Sequence, residues 1–216
     1  MICIAVVNSK GGTGKTTLAA ALAVRAAKEG KRVAMVDLDP QHSLAEWFNM
    51  RTGATDNPCM FADIDLAEDA RERAELDGWD WCFMDGPPGA LNKLKEMIAT
   101  ADFAMIPVKA SGIDLLATVE AVAIARKAGT GHFVVLNECG RNRLPKEVRG
   151  QLEAAGVPVA EREVAHRVSH ITAMSAGKTA AESRDAVAAE EIDALWCEVK
   201  AAATKAAKAR AKQGRR

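Results

Sequence analysis

The chain has 216 residues, of which 29 are Lys or Arg and 29 are Asp or Glu, so it carries no formal net charge. That length suits one α/β domain with a full core and is short for two. It holds no apolar run of the roughly 18 residues a membrane span needs, and no basic leader precedes the first strand pattern, so neither a membrane span nor a secretory signal is expected. Cys3, Cys59, Cys82, Cys139 and Cys197 are scattered without a CxxC pair. They read as free thiols in a reducing cytoplasm rather than as a disulfide framework, a zinc site or an iron–sulfur site.

The elements alternate between strand and helix. An apolar, β-branched run from Ile2 to Val7 predicts a strand, and Leu18 to Ala27 a helix that stops at Gly30. Val33–Leu38 is a second strand and Ser43–Met50 a helix, with Trp47 and Phe48 as core residues. Trp79–Asp85, Phe103–Val108 and His132–Asn137 follow as strands, separated by helices at Leu91–Thr100 and Leu115–Ala128. Pro145–Ala155 is helical, Val157–Val159 a short sixth strand, and Ala188 to about Lys212 a final helix. Near-continuous apolar strands between helices predict a single-domain α/β fold, a parallel sheet with helices on both faces and its ligand at the carboxyl ends of the strands.

Between the first strand and its helix stands Lys10-Gly11-Gly12-Thr13-Gly14-Lys15-Thr16-Thr17. Strand, glycine loop and helix are the context of a phosphate-binding loop, in which backbone N–H groups turn inward around a polyphosphate. Lys15 is placed to reach the β- and γ-phosphates and the Thr16 hydroxyl to ligate Mg²⁺. The usual GxxxxGK[ST] pattern is broken at its first position, where Ser9 precedes a second lysine, Lys10. A second polar element, Asp37-Leu38-Asp39-Pro40-Gln41, closes the second strand. Its carboxylates at i and i+2 are expected on one face toward the phosphate loop. A third, Met84-Asp85-Gly86-Pro87-Pro88-Gly89, has the strand-ending Asp of a Walker B element. No glutamate follows Asp85, so hydrolysis is expected to be slow and to rest on positioning and charge neutralisation.

These motifs resemble those of the ParA/MinD family of deviant Walker A ATPases. The resemblance runs over most of residues 1–195 and is closest to small, plasmid-type ParA partition proteins. It implies that Lys10 acts in trans across an ATP-dependent homodimer. Asp39 then positions the hydrolytic water, Asp37 supports the metal's water shell, and Asp85 holds Mg²⁺ through water. Residues up to about Ser43 serve as switch I and Gly86–Gly89 as switch II. The implied cofactors are ATP and Mg²⁺. A guanine-reading NKxD would need Asp at 140, where Gly140 stands, and the resemblance makes Asn137 an adenine contact. Ile106–Leu115 matches a segment near the dimer face, with Lys109 and Ala110 departing from the commoner residues. Arg162–Glu182 matches a later family segment.

Such proteins bind DNA without sequence preference, are released when a ParB-like adaptor stimulates hydrolysis, and are cytoplasmic and nucleoid-associated. No helix-turn-helix is expected ahead of the first strand. Charge is uneven here: Lys200, Lys205, Lys208, Arg210, Lys212, Arg215 and Arg216, with no acid among them, leave residues 200–216 at +7 and the rest at −7. The expected division is an ATPase domain over 1–199 and a basic helix end over 200–216. Candidate DNA contacts are Arg162, Arg167, Lys178, Arg184, Lys205, Lys208, Arg210 and Lys212; as composition, the same charges suit a solvated helix end equally. The main alternative is a MinD-like ATPase cycling on a membrane, which the tail disfavours because alanine is its only apolar type. Other options are ParA-like positioning of a protein cargo, a metallochaperone relative, which the missing CxxC disfavours, and a non-enzymatic nucleotide-dependent module. Gly177-Lys178-Thr179 looks like a second loop end but lacks its upstream glycine and strand. His166 and His170, at i and i+4, read as a surface pair.

Overall fold

The computed structural model describes residues 1–51, 57–110 and 115–213. Its centre is a six-stranded parallel sheet of β1 (Ile2–Val6), β2 (Val33–Asp37), β3 (Cys59–Phe61), β4 (Trp81–Asp85), β5 (Phe103–Lys109) and β6 (Gly131–Asn137), in the spatial order β3-β2-β4-β1-β5-β6. Parallel strands need crossovers, and helices supply them on both faces. α1 (Lys15–Lys28), α2 (Ser43–Asn49) and α8 (Ala186–Gln213) pack on one face. α3 (Ala67–Leu76), α4 (Leu91–Thr100), α5 (Leu115–Ala128) and α6 (Leu144–Ala154) pack on the other. Alternation along β1 sorts the two cores: Ile4 and Val6 face α1 and α8, whereas Cys3 and Ala5 face α4 and its neighbours. α7 (Val168–Met174) lies outside the sheet, near the carboxyl ends of the strands.

One expectation needs correction. The sixth strand is β3, not Val157–Val159, which only brackets the β6 edge through Val134 N–H to Pro158 O (2.8 Å) and Ala160 N–H to Val134 O (2.8 Å). Residues 200–213 continue α8 without a break, within the final helix expected from Ala188 to about Lys212. Ile192, Leu195, Trp196, Val199 and Ala203 are fully buried, with Trp196 edge-on to Trp81 at 4.9 Å between ring centroids. At its far end Arg210 donates to the carbonyls of Ala101 (2.7 Å) and Ala99 (2.9 Å), satisfying groups left open where α4 stops. Expectations for Ser111–Asp114 and for Arg215 and Arg216 fall outside the described residues.

The Gly177-Lys178-Thr179 stretch is a clasp on α2. Gly177 sits at φ +64, and a Cβ there would come within 2.5 Å of the Met50 backbone. Its carbonyl and the Glu182 carboxylate both accept from Arg51, and the Lys178 carbonyl accepts from Trp47 Nε1 (3.1 Å). Burial would raise the Glu182 carboxyl, but the Arg51 guanidinium and the Thr179 backbone hold it below its ordinary range. The glycine is there for close backbone approach.

Candidate nucleotide site

The loop between β1 and α1 is fixed by side chains from neighbouring strands. Asn8 is fully buried; its Nδ2 donates to Pro107 O (2.8 Å), and its Oδ1 accepts from Lys10 N–H (2.9 Å). Gly89 N–H donates to Ser9 O (2.8 Å), joining the Gly-Pro-Pro-Gly turn to the loop. At the other end Asn137 Nδ2 donates to Thr13 O (2.8 Å). Gly14, at φ +88, leaves the space that amide occupies: a Cβ would lie 2.1 Å from it. α1 then starts at Lys15 with no acidic residue in its first turn, so its N-terminal N–H groups face a cleft suited to an anion.

Lys15 and Thr16 point to the chemistry. Lys15 is 6 % exposed and its Nζ lies 3.3 Å from Lys10 O, a weak contact that a phosphate oxygen can replace. Burial lowers its pKa, against the Asp85 and Asp39 charges that raise it. Thr16 Oγ1 donates to Asp85 Oδ2 at 2.6 Å, while Asp85 Oδ1 is buried with no hydrogen-bond partner among the described residues. Burial foremost pushes the Asp85 carboxyl up to about 7; the Asp37 and Asp39 charges add to this, while the Thr16 hydroxyl and the Lys15 charge oppose it. A hydroxyl beside an unsatisfied buried carboxylate oxygen fits a hard divalent cation, and Mg²⁺ would supply there the positive charge that polarises a phosphate. Thr16 and Asp85 are the residues that would hold it, directly or through water.

Asp37 and Asp39 do not share a strand face. β2 ends at Asp37, and Asp39 lies beyond it in the turn. Both Asp37 oxygens are taken by backbone donors: Oδ1 by Asp39 N–H (3.0 Å), Oδ2 by Leu44 N–H (2.9 Å) and Ala45 N–H (3.0 Å). The carboxylate thereby holds the start of α2, where an anion is favoured, so the expected duty in a metal's water shell is not the one its hydrogen bonds describe. Asp39 does line the phosphate cleft, its Oδ1 accepting from Gln41 N–H (3.0 Å).

The cleft, of about 530 Å³, is bordered by Gly11, Gly12, Lys15, Thr16, Asp39 and Pro88 among others. It adjoins a second cavity of about 280 Å³ whose lining includes Asn137, Glu138, His166, His170 and Ile171. The sequence reading missed this wall, because α7 is only seven residues long and two of its large apolar residues, Val168 and Ile171, are exposed, so no helical apolar stripe stands out. His166 and His170 are not a surface pair: His166 is exposed, whereas His170 is 9 % exposed and burial lowers its pKa. No cluster of three or more His, Cys, Asp or Glu suited to a metal occurs among the described residues. Trp47 is buried as expected and Phe48 packs at the core's margin.

A parallel sheet with a glycine turn leading into a helix N-terminus, a buried Lys–Thr pair and a strand-ending Asp define a P-loop nucleotide-binding protein. The family described as the CobQ/CobB/MinD/ParA nucleotide binding domain matches residues 4–180, and the chain belongs to that family. It is accordingly a ParA-type ATPase using ATP and Mg²⁺. It is similar to "Maintenance of carboxysome distribution protein A" of Gloeobacter kilaueensis, 34 % identical over 214 residues, covering 89 % of this chain and 94 % of that protein. The chromosome-partitioning ATPase Soj of Thermus thermophilus is 31 % identical over 218 residues, covering 83 % and 87 %. The fold matches the MinD cell division protein of Aquifex aeolicus at a TM-score of 0.78 and 16 % identity, covering 93 % and 97 %.

Asp85→Asn separates the metal from the fold. The buried carboxyl is neutral in both states at low pH; because its pKa is raised from the ordinary 3.8 to about 7, it opposes folding increasingly as pH rises between those two values and fully above about 7. The variant should therefore be more stable than the wild type without nucleotide at pH 8, by on the order of 4 kcal/mol at most, and about equally stable near pH 3. It should also lose Mg²⁺-dependent ATP hydrolysis. Denaturant titrations at the two pH values, beside a phosphate-release assay, check both outcomes.

Proposed function

We propose that this chain is a positioning ATPase that dimerises on ATP, holds DNA without sequence preference, and is reset when an adaptor partner stimulates hydrolysis. Its cargo is DNA or a protein assembly. Within the site, Lys15, Thr16 and the loop N–H groups from Gly11 to Thr17 bind the triphosphate. Asp39 orients the attacking water and Asn137 borders the adenine. Lys10 is contributed to the partner's site. The observation that carries the reading is the division of labour between the two lysines. Lys15 is buried against the loop of its own chain, whereas Lys10 is exposed, with its backbone N–H tied to Asn8. An exposed cation on a turn held by its backbone suits charge neutralisation across an interface, as an arginine finger does. Relatives named for carboxysome distribution and for chromosome partitioning support one engine with more than one cargo.

Attachment to DNA falls to the outward face of α8, where Lys205, Lys208 and Lys212 are exposed along one stripe. Two earlier candidates drop out, since Arg167 is bound to Glu191 (2.6 Å) and Arg210 to the end of α4. Arg162 lies near Glu198, and Lys178 and Arg184 remain exposed. The membrane-cycling alternative finds little support: Ala201–Gln213 offers no large apolar side chain, and among the described residues no helix is long and apolar enough to cross a membrane.

With a non-hydrolysable ATP analogue and Mg²⁺, sedimentation should show a dimer for the wild type and a monomer for Lys10→Ala, with analogue affinity changed by less than about tenfold. A wild type that stays monomeric contradicts the dimer. ATP-dependent binding to an arbitrary duplex should weaken steeply between 50 and 200 mM salt, as roughly expected for several phosphate contacts, and the triple change of Lys205, Lys208 and Lys212 to Ala should reduce the salt slope by about 3. An unchanged slope removes α8 from the DNA surface.

A further inference from the structure

Glu138 stands where the two halves of the nucleotide site meet. It follows the last residue of β6 directly and has φ +52, a left-handed conformation that a non-glycine residue adopts only under strain. Its carboxylate, 35 % exposed, lies 2.8 Å from the Lys109 ammonium at the end of the adjacent β5 and 3.9 Å from His166 Nδ1. Lys109 and Asn137 are register partners, so the ion pair spans the carboxyl ends of two neighbouring strands.

The phosphate cleft and the cavity beside it share Gly14, Thr17, Glu138, Met174 and Ser175. Glu138 is the one acid among these shared residues. A carboxylate at this point is poorly suited to phosphate or to the face of a base. It is well suited to hydroxyl donors, which it binds more strongly than a neutral acceptor does. A nucleotide with its phosphates over Gly11–Thr17 and its base beside Asn137, in the cavity that His170 and Ile171 also line, passes its sugar through this junction. The strain at Glu138 is the kind kept at a functional position, since glycine would take the same backbone without it.

We propose that Glu138 reads the sugar of the nucleotide, accepting hydrogen bonds from the ribose hydroxyls and selecting ribonucleotides over deoxyribonucleotides, with Lys109 positioning the carboxylate. This rests on the nucleotide placement given under Proposed function. The test is calorimetric titration of the full chain with ATP, 2′-deoxyATP and 3′-deoxyATP in Mg²⁺, comparing the wild type with Glu138→Ala and Glu138→Gly. The wild type should bind ATP about tenfold or more tightly than at least one deoxy analogue. In both variants the ratios should collapse to about one through loss of ATP affinity. Glu138→Gly, which also relieves the backbone, should melt no lower than the wild type, so its lost selectivity is not a folding defect. Equal wild-type affinities for the three nucleotides overturn the proposal while leaving the nucleotide site intact, as does wild-type selectivity retained by either variant. Failure of the wild type to bind any of the three overturns the placement of the nucleotide and the proposal with it.

Discussion

The site depends on one close contact, between the Asn137 amide and the turn at Thr13–Gly14. The amide reaches the Thr13 carbonyl only because position 14 has no Cβ, and it ties the glycine turn to the end of β6. Asn8 does the same from β5 through Pro107, and Gly89 from the turn after β4. The loop thus hangs from three strands of the sheet. Its N–H groups are arranged by neighbouring backbone and buried amides rather than by a ligand, which lowers the ordering cost of binding a polyphosphate.

Electrostatics give this scaffold its tension. The charges of Asp37 and Asp39 both act on Asp85, and Lys15 is the cation within the loop whose charge reaches Asp85 and Asp39. A buried Asp85 with one oxygen unsatisfied is poorly accommodated in the free chain and well accommodated beside a divalent metal. Asp37 is settled differently, by three backbone N–H groups between Asp39 and Ala45, so two carboxylates that are register partners on adjacent strands have opposite needs. The Gly177 clasp then joins the end of α2 to the segment leading into α8.

Much of this was legible in the sequence because glycine, lysine and β-branched patterns carry strong local requirements. The loop from Lys10 to Thr17, the strands ending at Asp85 and Asn137, and the two-faced helical cover all follow from periodicity and motif. What was missed has physical reasons. α3 buries only Ala67, Ala70 and Ala74, too little apolar surface to stand out among its charges, and β3 is three residues at a sheet edge. Spacing in the Asp37–Asp39 element could not show that the strand stops between the two residues or that Asp37 caps a helix. Nor could composition distinguish Arg210, folded onto α4, from Lys208 and Lys212, which face solvent. Charge runs report sign, whereas pairing depends on tertiary contacts.

The central claim is that Asn137 and Gly14 share one space and together hold the phosphate loop. A double-mutant cycle in unfolding free energy tests it directly, using Gly14→Ala, Asn137→Ala and both together. If the account holds, the double variant is more stable than the sum of the single losses implies, by at least about 1 kcal/mol, because removing the amide makes room for the methyl group. Additivity within about 0.5 kcal/mol would mean that the two residues do not meet, and the account of the loop would be contradicted.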